Sequence, residues 1–280
     1  KEITGLDEEQ IQIHTTYLGG GFGRRGETDF VKQTLILAKA LGKPIKVTWM
    51  REEDMQHDFY RPASMSRFQI GLNKDGFPIS WNNQLASPSI LKRFFAPMAW
   101  FNIDPLSTEG ADEIPYAIED FNLDYTEVDS GVPVGFWHSV GSSFNAFFTE
   151  SAIDEAAHLA QQDQFDYRMK LLAGKHRFQK VLEKVTRVSK WGRRLPKGHG
   201  LGISIHKTRG SIAGAVIEVS TDVNGILNLN KVWIAIDCGK VINPNTVRAQ
   251  MEGGFTFGLS ATLGEEITLK DGRVEQSNFH

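Results

Sequence analysis

The sequence predicts an α+β fold in which mixed and antiparallel sheets, built from hairpins, pack against helices. Three observations carry this. Turn-forming Asx-Gly pairs at Asp75-Gly76, Asn224-Gly225 and Asp271-Gly272 are each flanked by strand-like segments. Apolar residues recur at helical spacing in several separate blocks. Strands and helices do not alternate in the regular order that a parallel sheet of crossover units requires.

In chain order, residues 11–18 alternate apolar and polar side chains as a strand does, and then meet the glycine run Gly19-Gly20-Gly21-Phe22-Gly23. Phe30, Val31, Leu35, Leu37, Ala38 and Leu41 follow at helical spacing up to Gly42, which suits the left-handed residue that closes a helix. Residues 44–50 read as a strand, and 67–85 as a hairpin about Asn73-Lys74-Asp75-Gly76. Residues 87–131 read as irregular, with Pro88, Pro97, Pro105 and Pro115 interleaved with aromatics; a loop of that length is often a binding surface. Residues 144–172 hold one or two amphipathic helices, with Asp163 placed to cap the second. Another helix spans 177–191, with Phe178, Val181, Leu182, Val185 and Val188 on one face, and a polar connector covers 192–200. Hairpins at 216–236 and 266–279 flank a helical stretch at 245–263. The expected division falls near Gly131, giving regions 1–131 and 132–280.

The chain has 280 residues, 40% hydrophobic, with a net charge of −3, so no basic excess marks a nucleic-acid partner. One cysteine, Cys238, excludes an internal disulfide and a cysteine-rich metal or cluster site, and fits a small buried apolar group. Apart from His138, the histidines show no metal-ligand spacing. The tryptophans Trp49, Trp81, Trp100, Trp191 and Trp233 are expected in the core. The first residue is Lys, and a strand-like segment runs into the last, so the expectation is an internal piece of a longer protein.

Gly21-Phe22-Gly23-Arg24-Arg25-Gly26 satisfies G-x-G-x-x-G between a strand-like and a helical segment, the fingerprint of dinucleotide binding. Its context argues otherwise. A first Rossmann strand is buried on both faces, whereas this one carries Gln12, His14, Thr15 and Thr16. The ribose-binding acid is displaced as well, and a hairpin follows where a second crossover helix belongs. A nicotinamide or flavin enzyme would place a parallel sheet around residues 11–50. Another reading is a tight strand-to-helix turn and nothing more. On either, the glycines let a backbone come close to a ligand, the helix start offers free N–H groups, and Arg24 and Arg25 add donors suited to phosphate.

Three ordered blocks carry a resemblance across nearly the whole chain. The first is Gly19-Gly20-Gly21-Phe22-Gly23-Arg24-Arg25. The second is Val132-Pro133-Val134-Gly135-Phe136-Trp137-His138-Ser139-Val140-Gly141, leading to Glu150-Ser151-Ala152-Ile153-Asp154-Glu155. The third is Asp237-Cys238-Gly239-Lys240-Val241-Ile242-Asn243-Pro244, leading to Gln250-Met251-Glu252-Gly253-Gly254. Together they resemble the large subunit of the molybdenum hydroxylases, the xanthine oxidase and aldehyde oxidoreductase family. The double arginine and the final Gln276-Ser277-Asn278-Phe279-His280 look closest to its isoquinoline 1-oxidoreductase branch.

The resemblance implies a molybdopterin-binding fold and cofactor-binding roles for Gly20, Gly21, Phe22, Gly23, His138 and Gln250. Phe22 and Gly23 would present backbone N–H groups to the metal's oxo ligand, and Gln250 its side-chain amide. Gly253 and Gly254 would allow close packing behind Gln250. His138 stands where the family typically has an arginine, and its charge varies around neutral pH. The implied reaction is hydroxylation of an N-heteroaromatic or aldehyde with oxygen from water. It implies a molybdenum cofactor, in the molybdopterin cytosine dinucleotide form, and iron–sulfur clusters on a partner small subunit. A cytochrome or another electron acceptor would take the electrons. The family's general-base glutamate lies in a Gly-Glu-Pro-type segment beyond this chain, so Glu265 and Glu266 are not assigned the role and the piece alone is expected to be inactive. Periplasmic location is slightly favoured over cytoplasmic.

Overall fold

The structure, a computed structural model, describes residues 1–95 and 103–279. Pro97, Trp100 and His280 lie outside the described residues. The chain folds into two compact units, each made of discontinuous segments. One comprises Lys1–Pro62, Ser130–Val140 and Phe255–His280; the other comprises Ala63–Asp129 and Gly141–Gly254.

The larger unit is built on two three-stranded sheets. Strands β1 (Met65–Leu72) and β2 (Pro78–Ser87) form the expected hairpin, closed where Asn73 accepts hydrogen bonds from the Asp75 and Phe77 amides. Strand β3 (Asp120–Glu127) then pairs with β2 in parallel, Trp81 opposite Phe121 and Leu85 opposite Tyr125. The stretch read as irregular therefore holds a strand, and also a single turn of helix, α3 (Pro105–Thr108). The alternation in Asp120–Glu127 is masked because only Leu123 and Tyr125 are even half-buried.

The second sheet runs β4 (His199–Thr208), β5 (Ser211–Thr221) and β6 (Leu227–Asp237), antiparallel throughout. Its β5–β6 turn falls at Asn224-Gly225 as expected, with Gly225 at φ +80°. Strand β4 went unread in the sequence; its glycines at 200 and 202 dilute the strand pattern.

Helices α4 (Ser142–Leu159), α5 (Gln164–Leu171) and α6 (His176–Ser189) complete the unit. Asp163 caps α5 as predicted, accepting from the Phe165 and Asp166 amides. Phe178, Val181, Leu182 and Val185 of α6 face the core, whereas Val188 is exposed. A Cβ on Gly214 of β5 would stand 2.9 Å from Val181 Cγ1, so a residue without a side chain lets α6 lie close on the sheet. One core joins these parts: Trp81, Tyr116, Ile153, Tyr167, Leu172, Leu182, Ile205 and Val216 are all buried. Of the remaining described tryptophans named above, Trp49, Trp191 and Trp233 are half-buried, as is Cys238.

Inside this core lies an ionic knot. The Arg168 side chain is 0% exposed and donates to Glu150 Oε2 at 3.0 Å, Asp154 Oδ1 at 2.6 Å and the carbonyls of Glu150 and Gln164. Glu150 also accepts from Tyr116 Oη at 2.6 Å and from the Ile205 amide at 2.9 Å. Burial raises the Glu150 pKa and Arg168 opposes that rise; burial and the neighbouring carboxylate push Tyr116 well above its usual range. The knot ties α4, α5, β4 and the 116 loop together.

The smaller unit carries α1 (Asp29–Leu41), α2 (Arg51–Gln56), the short hairpin β7 (Leu269–Lys270) and β8 (Arg273–Val274), and the end of α7 (Pro244–Leu263), a helix divided between the units. Gly42 ends α1 in the left-handed conformation, φ +62° and ψ +27°, as expected. The helix is correctly placed, but Val31, Leu35, Leu37 and Leu41 are exposed, because no described element covers that face. Residues 11–18 and 44–50 are not strands here; they join no ladder among the described residues. The parallel sheet that a dinucleotide-binding reading requires around residues 11–50 is therefore missing from the described residues, and that reading falls.

Candidate cofactor-binding site

The glycine loop takes a path that ordinary residues resist. Gly20 lies at φ +139°, Phe22 at φ +50° and Gly23 at φ +89°, after which residues 24–26 make one turn of 3₁₀ helix ahead of α1. A Cβ on Gly23 would stand 1.1 Å from the Phe136 carbonyl oxygen, so the loop and the 132–141 segment touch where only glycine fits. A Cβ on Gly20 would meet the Phe22 ring at 2.7 Å.

Arg24 fixes this conformation. It pairs with Asp29 at 2.9 Å and Asp58 at 2.6 Å, and its guanidinium lies over the rings of Trp49 and Phe59. Burial works against its charge, yet the two carboxylates outweigh that and raise its pKa. The sequence offered Arg24 as a phosphate donor; it is instead consumed in holding the loop. Arg25 is exposed and bonded to no side chain among the described residues.

Anchored this way, the loop projects Phe22 outward, 53% exposed. Its ring stacks on Phe257 with centroids 5.1 Å apart and planes 10° from parallel. His138 meets both rings edge-on, at 5.7 Å from Phe22 and 5.1 Å from Phe257. Trp137 leans on Phe257 at 4.9 Å and is itself covered by the Arg61 guanidinium. The imidazole nitrogens of His138 bond to none of the described residues, and the N–H groups of Phe22 and Gly23 likewise donate to none of them. Two successive unused amides beside an aromatic platform are donors poised for an anionic or oxo group. Ser139 and Val140, next to His138, both sit at positive φ, +63° and +50°. For a β-branched residue such as Val140 that conformation costs about 1–3 kcal/mol, and such strain gathers at ligand clamps.

Of the six residues read from the sequence, the structure brings Gly20, Gly21, Phe22, Gly23 and His138 into this one cluster. Gln250 is exposed on α7, and its amide bonds to none of the described residues. A Cβ on Gly253 or Gly254 would meet nothing within 4 Å, so no close packing behind Gln250 is present in this structure. Phe257 escaped the sequence reading; the signal was an aromatic set among glycines, Gly253-Gly254-Phe255-Thr256-Phe257-Gly258. Helix α7 is started by Asn243, which caps the Asn245 and Thr246 amides, and by Pro244 at its first position.

Models of the molybdopterin cofactor-binding domain match residues 1–172 and 206–280, and the chain belongs to that family, the cofactor-binding portion of the molybdenum hydroxylases. It is 30% identical over 285 residues to the isoquinoline 1-oxidoreductase subunit beta of Brevundimonas diminuta, covering 99% of this chain and 36% of that protein. It is 26% identical to a protein of Gluconacetobacter polyoxogenes named membrane-bound aldehyde dehydrogenase [pyrroloquinoline-quinone], over 98% of this chain and 39% of the other. The chain thus spans little more than a third of the length of these relatives. Its fold matches the crystal structure of quinoline 2-oxidoreductase from Pseudomonas putida 86 with a TM-score of 0.78 at 12% identity, over 93% of this chain and 58% of that one.

Proposed function

We propose that this chain is part of the molybdopterin-binding subunit of an oxidoreductase that hydroxylates an N-heteroaromatic or aldehyde substrate with oxygen drawn from water. One observation carries the reading: the unused N–H groups of Phe22 and Gly23, held beside His138 on an aromatic platform. The residues present fit the cofactor. Paired amides suit its oxo or phosphate oxygens, the glycines let it approach the backbone, and exposed Arg25 can meet a phosphate. Molybdopterin, when bound, supplies the metal at which oxygen transfer and electron uptake occur.

Around that group the chain's own residues bind and orient. Phe22 and Gly23 donate from the backbone, which costs no reorganisation, and Gln250 donates from its amide. His138 supplies one hydrogen bond from an imidazole whose edge is fixed by two phenyl rings. The family arginine would offer a planar fork of five donors here, whereas histidine offers a single ring N–H. The names of the relatives, one an isoquinoline oxidoreductase and one an aldehyde dehydrogenase, support the two substrate classes. The cytosine dinucleotide form, iron–sulfur clusters on a partner subunit, a cytochrome or similar acceptor and a periplasmic location belong to the same proposal.

The test is to express the whole subunit with its iron–sulfur partner and assay molybdenum and pyrroloquinoline quinone side by side. Near-stoichiometric molybdenum is expected, with kcat in Gln250→Ala lowered about 10²-fold, the usual effect of removing one such donor. A preparation free of molybdenum, while a control hydroxylase made alongside is loaded, overturns the proposal. So does quinone in its place.

A further inference from the structure

The larger unit contains a second polar constellation, remote in character from the glycine loop and used by nothing described so far. Four side-chain atoms around the 107–110 turn are buried and bond to no other group of the described residues: Glu109 Oε2, Ser142 Oγ, Asn145 Oδ1 and His206 Nε2. Unpaired buried polar atoms are costly, so four in one neighbourhood call for a common cause.

Their placement supplies one. Ser142 and Asn145 stand at i and i+3, so they share one face of α4. That face looks onto the 107–110 turn: the Asn145 amide donates to the carbonyls of Ser107 at 2.8 Å and Glu109 at 3.0 Å. Gly110, at φ +89°, leaves room at the centre. A Cβ built there would stand 3.3 Å from Ser142 Oγ and 3.3 Å from His206 Nε2, so both atoms converge on the same point. The other Glu109 oxygen accepts from Thr208 and lies 3.8 Å from Arg209 Nε, which already answers the carboxylate's charge.

We infer that Glu109, Ser142, Asn145 and His206 form a built-in site for internal water, which joins α4, the 107–110 turn and β4 through hydrogen bonds the protein does not make to itself. The donor set selects this ligand. Two acceptor oxygens, one hydroxyl and one imidazole nitrogen need a small neutral molecule that both donates and accepts, and water makes two to four such bonds when buried. A cation has less to attract it, since Arg209 already lies against the carboxylate. An apolar occupant would leave all four atoms unpaired. Burial also lowers the His206 pKa, which favours the neutral ring. Gly110 is the residue that keeps the space open.

A high-resolution crystal structure of the chain, paired with thermal unfolding of Ser142→Ala, tests the site. Ser142→Ala removes the hydroxyl and nothing else. The expected result is water density within hydrogen-bond distance of at least three of the four atoms, with Tm in Ser142→Ala lowered by roughly 2–4 °C, the scale of one lost hydrogen bond in a chain of this size. Ser142→Ala with an unchanged or higher Tm would show that the hydroxyl had no partner to lose and would overturn the inference. Density showing the four side chains bonded directly to one another, or an ion coordinated by five or six oxygens at cation distances, would overturn it as well.

Discussion

Replacing Arg168 with Met keeps most of the side-chain volume and removes the charge at the centre of the buried knot. The wild-type guanidinium makes four hydrogen bonds, two of them to carboxylates at 3.0 and 2.6 Å, from a side chain with no solvent exposure. After substitution, Glu150 remains buried with bonds only from Tyr116 and the Ile205 amide. Removing one partner of a buried pair typically costs about 3–5 kcal/mol, mostly the penalty of the charge left behind. At about 2–4 °C per kcal/mol, Tm should fall by roughly 6–20 °C. Adding Glu150→Gln should recover a good part of that loss, since the remaining group is then neutral. Urea and thermal unfolding followed by circular dichroism measure both. Arg168→Met within about 1 kcal/mol of wild type, or a double variant no better than the single, would refute the view that an uncompensated carboxylate sets the cost.

Gly23→Ala must drive the loop away from Phe136, because its Cβ cannot share space with a carbonyl oxygen 1.1 Å away. A loss of at least about 2 kcal/mol is expected in urea unfolding, from the clash and the positive φ together, with altered amide chemical shifts at residues 136–138. Asp163→Ala removes the cap of α5 and the acceptor of the Trp191 indole N–H, and should cost about 1–2 kcal/mol by the same assay. Asp237 is held at about 2 by its hydrogen bond from Arg177, so its contribution to stability is present above the unfolded value near 3.8 and is lost as pH falls toward about 2. Carbon-13 NMR titration should find that inflection and, in Arg177→Met, a return toward 3.8.

The parts of the fold that were legible in the sequence are those set by local chemistry. Asp163, Gly42 and the Asx-Gly turns act within a few residues of themselves, and each does in the structure what its type predicts. Strand β3 was illegible because pairing with β2 at a distance, and not side-chain alternation, makes it a strand. Residues 11–18 erred the other way: the alternation is there, but no described strand answers it. At the site, the family resemblance pointed to Phe22 and Gly23 through the glycine run and to His138 through the 132–141 block. Phe257 joined them only through a ring contact formed between segments far apart in sequence. Arg24 was visible and misread, because Asp58, one of the carboxylates that occupy it, lies on another segment.

The parallel pairing of β2 with β3 has a kinetic corollary. Residues 73–77 close the β1–β2 hairpin, whereas 32 residues, 88–119, separate β2 from β3 in the chain. A connection some six times longer costs only about 1.6 kcal/mol more in closure entropy by the logarithmic law. That is enough to make β3 the late arrival. Exposed along most of its length and at the edge of its sheet, it has little burial to hold it in place. Amide protons of Asp120–Glu127 should exchange ahead of those in β1 and β2, so this sheet breathes at one margin while the hairpin beside it stays shut.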